Sequence, residues 1–69
     1  MFNMAEFNAA LARKGCTRKE LAEMLDINEV TLYRKLKRGG DFTREEINIM
    51  IDRLGISDPV EIFFAEVLE

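Results

Sequence analysis

The sequence predicts an all-α fold of five short helices, over residues 3–14, 17–25, 28–37, 43–54 and 58–68. Three observations predict it. Side chains able to accept from the unpaired first amides of a helix recur along the chain, mostly with an acid three residues later. Glycines stand where the first, third and fourth helices would stop, free to take the left-handed angle. Between these marks apolar residues recur at i, i+3 and i+4, and no strand-like alternation is visible.

The first helix starts at Asn3 with Glu6, carries Phe7, Ala10 and Leu11 on one face, and stops at Gly15. The second starts at Thr17 with Glu20 and carries Leu21, Ala22 and Leu25. Only Asp26-Ile27 then separates it from Asn28, which caps a third helix without a partner acid. So short a connection forces the second and third helices to cross sharply, and Ala22 is small enough to let their backbones approach. This is helix-turn-helix geometry. Leu32 and Leu36 mark the inner face of the third helix, which ends at Gly39-Gly40. Thr43 with Glu46 opens the fourth, which carries Ile47, Met50, Ile51 and Leu54 before Gly55. The fifth starts at Asp58 with Glu61, and Pro59 suits its first position because no amide hydrogen is needed there. Val60, Phe63, Phe64, Val67 and Leu68 form its apolar stripe, from which Ile62 is displaced.

Composition narrows the function. A chain of 69 residues has room for one domain, residues 1–69, and a core burying roughly 60% of the unfolded surface, too little to frame a deep enzymatic cleft. It is 48% apolar and 33% charged, which favours an ordinary globular domain. No run approaches the ~20 apolar residues of a membrane span and no signal-like start is seen, so a cytoplasmic location is expected. With one cysteine and no histidine, an internal disulfide is excluded and the usual metal-ligand and general-base arrangements are missing. No cofactor, small-molecule ligand or enzymatic activity is expected, and Cys16 reads as core packing.

The net charge of −3 argues at first against a nucleic-acid partner, but the charges are unevenly placed. Eight of the ten basic residues lie between positions 13 and 38, opposed by Glu20, Glu23, Asp26 and Glu29, for a local charge of +4. Residues 39–69 carry −6. Such asymmetry suits a molecule that turns one face to an anionic partner.

With Leu32 and Leu36 facing inward, a step of about 100° per residue puts Arg34 opposite them, with Val30 and Lys37 beside it. Thr31 and Arg38 flank that face on one side and Tyr33 on the other, while Glu29 sits in the first turn. These residue types read bases differently. Arginine bonds guanine through two parallel donors, glutamate accepts from the cytosine amino group, and valine or a threonine methyl packs on the thymine methyl. The amides near Thr17 and Arg18, with Lys19, Arg13 and Lys14, would hold phosphates.

Residues 15–36, GCTRKELAEMLDINEVTLYRKL, resemble the Cro/repressor-type (XRE-like) helix-turn-helix family of bacterial and phage regulators. The Asp41-to-Glu46 segment and the helix after it look like the remainder of such a domain, especially its small phage-encoded members. The resemblance implies a compact λ-repressor-like fold and base or groove contacts from Glu29, Val30, Thr31, Tyr33 and Arg34. It implies phosphate contact from Arg18, where the family often has glutamine, and from Lys37-Arg38, which stand where it often has Asn-Gly. Asp26 replaces the usual turn glycine. Lys35 falls where many relatives bury an apolar residue, so its stem is expected to pack while its ammonium reaches water.

Two functions follow as expectations. The first is a sequence-specific regulator that binds double-stranded DNA as a homodimer, since one small module contacts too few base pairs to select a site. Ile62, Phe64, Val67 and Leu68 are its candidate dimer contacts. The second is a protein-interaction module, an antirepressor or antitoxin subunit, that keeps the fold and binds through its acidic carboxyl-terminal half.

Overall fold

The computed structural model describes residues 2–63. Five helices follow in order: α1 (Met4–Lys14), α2 (Arg18–Met24), α3 (Glu29–Lys37), α4 (Arg44–Leu54) and α5 (Pro59–Phe63). No strand occurs among the described residues, so the all-α expectation holds. The part of the fifth predicted helix beyond Phe63 lies outside the described residues.

The caps form where the spacing places them, and two boxes close fully. Thr17 accepts from the Glu20 amide while the Glu20 carboxylate accepts from the Thr17 amide at 2.9 Å. Thr43 and Glu46 repeat the arrangement at the start of α4. Asn28 caps α3 through a 2.7 Å bond from the Thr31 amide. Each such cap stabilises its helix by about 1 kcal/mol. The Asn3 box is only half made. Its side chain accepts from the Glu6 amide, but its own amide donates to the Ile62 carbonyl at 2.7 Å, tying the start of α1 to α5.

The α2–α3 connection turns at Asp26, the one non-glycine residue with positive φ (58°) among those described. This angle lets the Ile27 amide reach back to the Ala22 carbonyl at 3.0 Å, closing the end of α2 before Asn28 starts α3. Aspartate tolerates the left-handed region better than most side chains, at some cost. Asp26→Gly is expected to gain about 0.5 kcal/mol, relief of strain being partly offset by the freer unfolded chain. Asp26→Val should lose about 2 kcal/mol, since a β-branched side chain collides with its own backbone at this angle. Urea unfolding of both variants checks the sign and the ranking.

The core is assembled from one face of every helix. Phe7, Leu21, Leu32 and Met50 are fully buried, joined by Ala10, Leu11, Ala22, Leu25, Leu36, Leu54, Ile56, Ile62 and Phe63. At one end Phe2, Phe7, Phe42 and Phe63 form a ring cluster with centroids 5.3–6.4 Å apart. Gly40, at φ 78°, passes so close to the Phe2 ring that a Cβ there would overlap it. Phe2 thereby fastens the amino-terminus over the chain leaving α3.

The rotation of α5 differs from the predicted stripe. Ile62, set off that stripe by the sequence pattern, is 3% exposed in the core, whereas Val60 is 42% exposed. The chain enters α5 through the buried Ile56, and the Asn3–Ile62 bond fixes the helix with Ile62 and Phe63 inward. A side chain buried in its own domain has no surface to give a second copy, so Ile62 is removed from the candidate dimer contacts. Phe64, Val67 and Leu68 lie outside the described residues.

Candidate nucleic-acid interface

The outer face of α3 follows from burial of its inner one. Leu32 and Leu36 are 1% and 4% exposed, and with helical spacing this turns Val30, Arg34 and Lys37 outward. Glu29, Tyr33, Arg34, Lys37 and Arg38 are exposed, and Thr31 is half-buried. Val30 and Tyr33 are 58% and 57% exposed, large apolar surfaces left open to solvent. The Arg34 side chain makes no hydrogen bond or ion pair among the described residues, so its guanidinium donors are free. The Lys37 ammonium lies 5.6 Å from the Tyr33 ring centroid, a cation–π contact that gathers these two side chains over one edge of the face. Arg38 reaches only 3.9 Å from Asp41, and both are well exposed, so this pair holds it weakly.

Lys35 is placed more firmly than its spacing suggests. Its ammonium sits 3.1 Å from Glu46 Oε1 and 3.4 Å from the Asp41 carbonyl, with side-chain exposures of 21% for Lys35 and 12% for Glu46. The stem packs as expected, but the head meets a carboxylate on α4 rather than open water. The same Glu46 oxygen accepts from the Thr43 amide, so one atom caps α4 and anchors α3 to it.

The residues expected on phosphate divide into two groups. Arg18 and Lys19 are exposed at the start of α2, and Arg18 Nη2 donates to Asn8 Oδ1 on α1 at 3.0 Å while lying 3.9 Å from the Met4 sulfur. Thr17 is committed elsewhere: its amide and hydroxyl both face the Glu20 carboxylate, which fills the place an incoming anion would take. Arg13 lies about 140° around α1 from Asn8. It lines a hollow with Glu6, Ser57, Asp58 and Glu61, an acidic neighbourhood apart from Arg18. Lys14 borders a second hollow with Cys16, Glu20, Glu23 and Arg53, where cations and carboxylates alternate. Arg13 and Lys14 therefore each border carboxylates, whereas Arg18 borders Asn8 and the Met4 sulfur.

Cys16 is half-buried against the core, and its thiol lies 3.4 Å from the Thr17 carbonyl. Desolvation raises its pKa, and the Glu20 carboxylate raises it further, so the sulfur stays a protonated thiol and a poor nucleophile. No group of acids and cysteine among the described residues could hold a metal ion, and no helix there is long and apolar enough to cross a membrane.

Sequence reasoning missed Asn8 and Glu46. Only the box acid at Glu46 was legible, because the partners of both lie on other helices.

Residues 5–39 match the family model of the bacterial regulatory proteins of the Fis family, a stretch of about half the chain. No curated protein and no solved structure matches. The matched stretch contains α1, α2 and α3, and so includes the turn at Asp26 and the outward face of α3. It also contains the segment that resembles Cro/repressor-type proteins, so the helix-turn-helix is common to both likenesses while the family matched is the Fis one. The chain belongs to the Fis family of bacterial regulatory proteins, DNA-binding regulators built on a helix-turn-helix.

Proposed function

We propose that this protein is a sequence-specific transcriptional regulator that lays α3 in the major groove of duplex DNA. Glu29, Val30, Thr31, Tyr33 and Arg34 face the base edges, and Arg18, Lys19, Lys37 and Arg38 neutralise flanking phosphates. The observation that carries this reading is the outer face of α3. A helix held from behind by Leu32 and Leu36 exposes valine, tyrosine and an unpaired arginine, a mixture suited to groove methyls and guanine acceptors and wasteful towards water.

A homodimer on an inverted repeat follows from the small number of base pairs one α3 can contact. The two capped helices after α3, outside the matched stretch, favour a domain of the Cro/repressor type within a small phage-encoded regulator. The single domain of residues 1–69 and its cytoplasmic place belong to the same proposal.

Selection from random duplex DNA at 50 and 200 mM salt tests it. An enriched inverted repeat is expected, with affinity falling by roughly 10³-fold or more across that range if six or more phosphates are neutralised. Recovery of unbiased sequence at both salts would reject base reading by α3.

A further inference from the structure

We propose that Asn8, on α1, is a positioning residue for the DNA backbone, holding the Arg18 guanidinium in place and setting its own amide donors beside it. The role rests on the phosphate contact assigned to Arg18 under the proposed function. Arginine donates and never accepts, so the 3.0 Å bond from Arg18 Nη2 fixes which end of the Asn8 amide faces it: the oxygen. The NH₂ end is then turned away from the guanidinium. The Asn8 amide nitrogen and the remaining guanidinium donors have no acceptor among the described residues.

Both residues are exposed, so the bond adds little to folding. Its effect is on freedom. An arginine immediately after a helix cap would otherwise sweep a wide volume, and its rotamers would have to be frozen when a phosphate arrives. Asn8, assisted by the Met4 sulfur at 3.9 Å, makes that selection in advance. An aspartate at position 8 would hold Arg18 more tightly, but it would cancel the charge and remove the extra donors. Asparagine tethers the cation without neutralising it.

The test measures binding of the full chain to a random-sequence 20-base-pair duplex as a function of salt, for Asn8→Ala, Asn8→Asp, Arg18→Ala and the double variant Asn8→Ala/Arg18→Ala. Arg18→Ala is expected to flatten the plot of log K against log salt by about 0.9 for each bound protomer, one phosphate's worth apiece. Asn8→Ala should weaken binding roughly three- to tenfold with the slope unchanged, because the charge remains and only its placement is lost. Asn8→Asp should weaken binding further and flatten the slope. In the Arg18→Ala background, Asn8→Ala should cost much less than it does alone. A purely structural role for Asn8 would instead lower the melting temperature and leave the salt slope untouched in all Asn8 variants. If Arg18→Ala behaves as expected while Asn8→Ala binds like the native chain, or costs as much with Arg18 absent as present, the positioning role is overturned and the DNA reading stands. If Arg18→Ala leaves the slope unchanged, or the native chain does not bind the duplex, the phosphate contact itself fails and this role with it.

Discussion

Glu46→Ala, at the one buried charged side chain among the described residues, is expected to cost about 2–4 kcal/mol. Two losses combine. The ammonium of Lys35, held 3.1 Å from Glu46 in a site where the two side chains are 21% and 12% exposed, is left without its counter-charge. The Thr43 amide at the start of α4 loses its acceptor. Breaking a fully buried pair costs about 3–5 kcal/mol, and the residual exposure of Lys35 reduces that share, while the cap adds about 1 kcal/mol. A chain of 69 residues has a total stability on the order of 3–10 kcal/mol, so the variant should be partly unfolded at 37 °C. Glu46→Gln retains an acceptor for Thr43 and should lose less. Glu46→Gln combined with Lys35→Met removes the orphaned charge and should recover most of the loss. A double-mutant cycle by urea unfolding measures the coupling, and a coupling near zero would show that the two side chains do not stabilise each other. DNA affinity should follow stability, since α3 is fastened to α4 through this pair and only folded chains present it.

The contrast between what the sequence revealed and what it concealed has a physical basis. Caps at Thr17, Asn28 and Thr43 were legible because both partners of each bond lie within one turn, and residue type with spacing specifies them. The inner and outer faces of α3 were legible for a similar reason: Leu32 and Leu36 set the phase of a helix whose geometry is fixed. The pairs Lys35–Glu46, Arg18–Asn8 and Asn3–Ile62 were not, because periodicity reports which side of a helix is buried and not which group of another helix comes to meet it. The phase of α5 failed for want of constraint. The stripe counted Val60 as inward, whereas the entry through buried Ile56 and the tie from Asn3 to the Ile62 carbonyl go with a rotation that buries Ile62 and exposes Val60. The surroundings of the basic residues were not legible either, because nearness in sequence does not specify which groups of other helices each one meets. Arg13 is five residues from Asn8 along α1 and faces the acids of the α5 side, whereas Arg18 folds back onto Asn8 from a different helix.

Arg34→Ala should act on recognition and hardly at all on folding. Its side chain is exposed and without an intramolecular partner, so its removal should change stability by no more than about 0.5 kcal/mol. Binding should respond differently on specific and nonspecific DNA. Loss of a two-donor contact to guanine costs about 1–3 kcal/mol, roughly 5- to 150-fold in affinity at each half-site, and preference at one base pair should relax. On random DNA the variant should lose only the general attraction of one positive charge. Arg34→Lys separates the two contributions, because it keeps the charge and loses the planar fork: nonspecific binding should be retained and discrimination largely lost. Lys37→Ala should give the opposite pattern, weakening every sequence alike and flattening the salt dependence by about 0.9 for each bound protomer. Competition binding of the selected operator and single-base variants against all three proteins distinguishes these outcomes. Unchanged base preference in Arg34→Ala would mean that the residue facing away from Leu32 and Leu36 does not read the groove, and the orientation of α3 on DNA would have to be assigned anew.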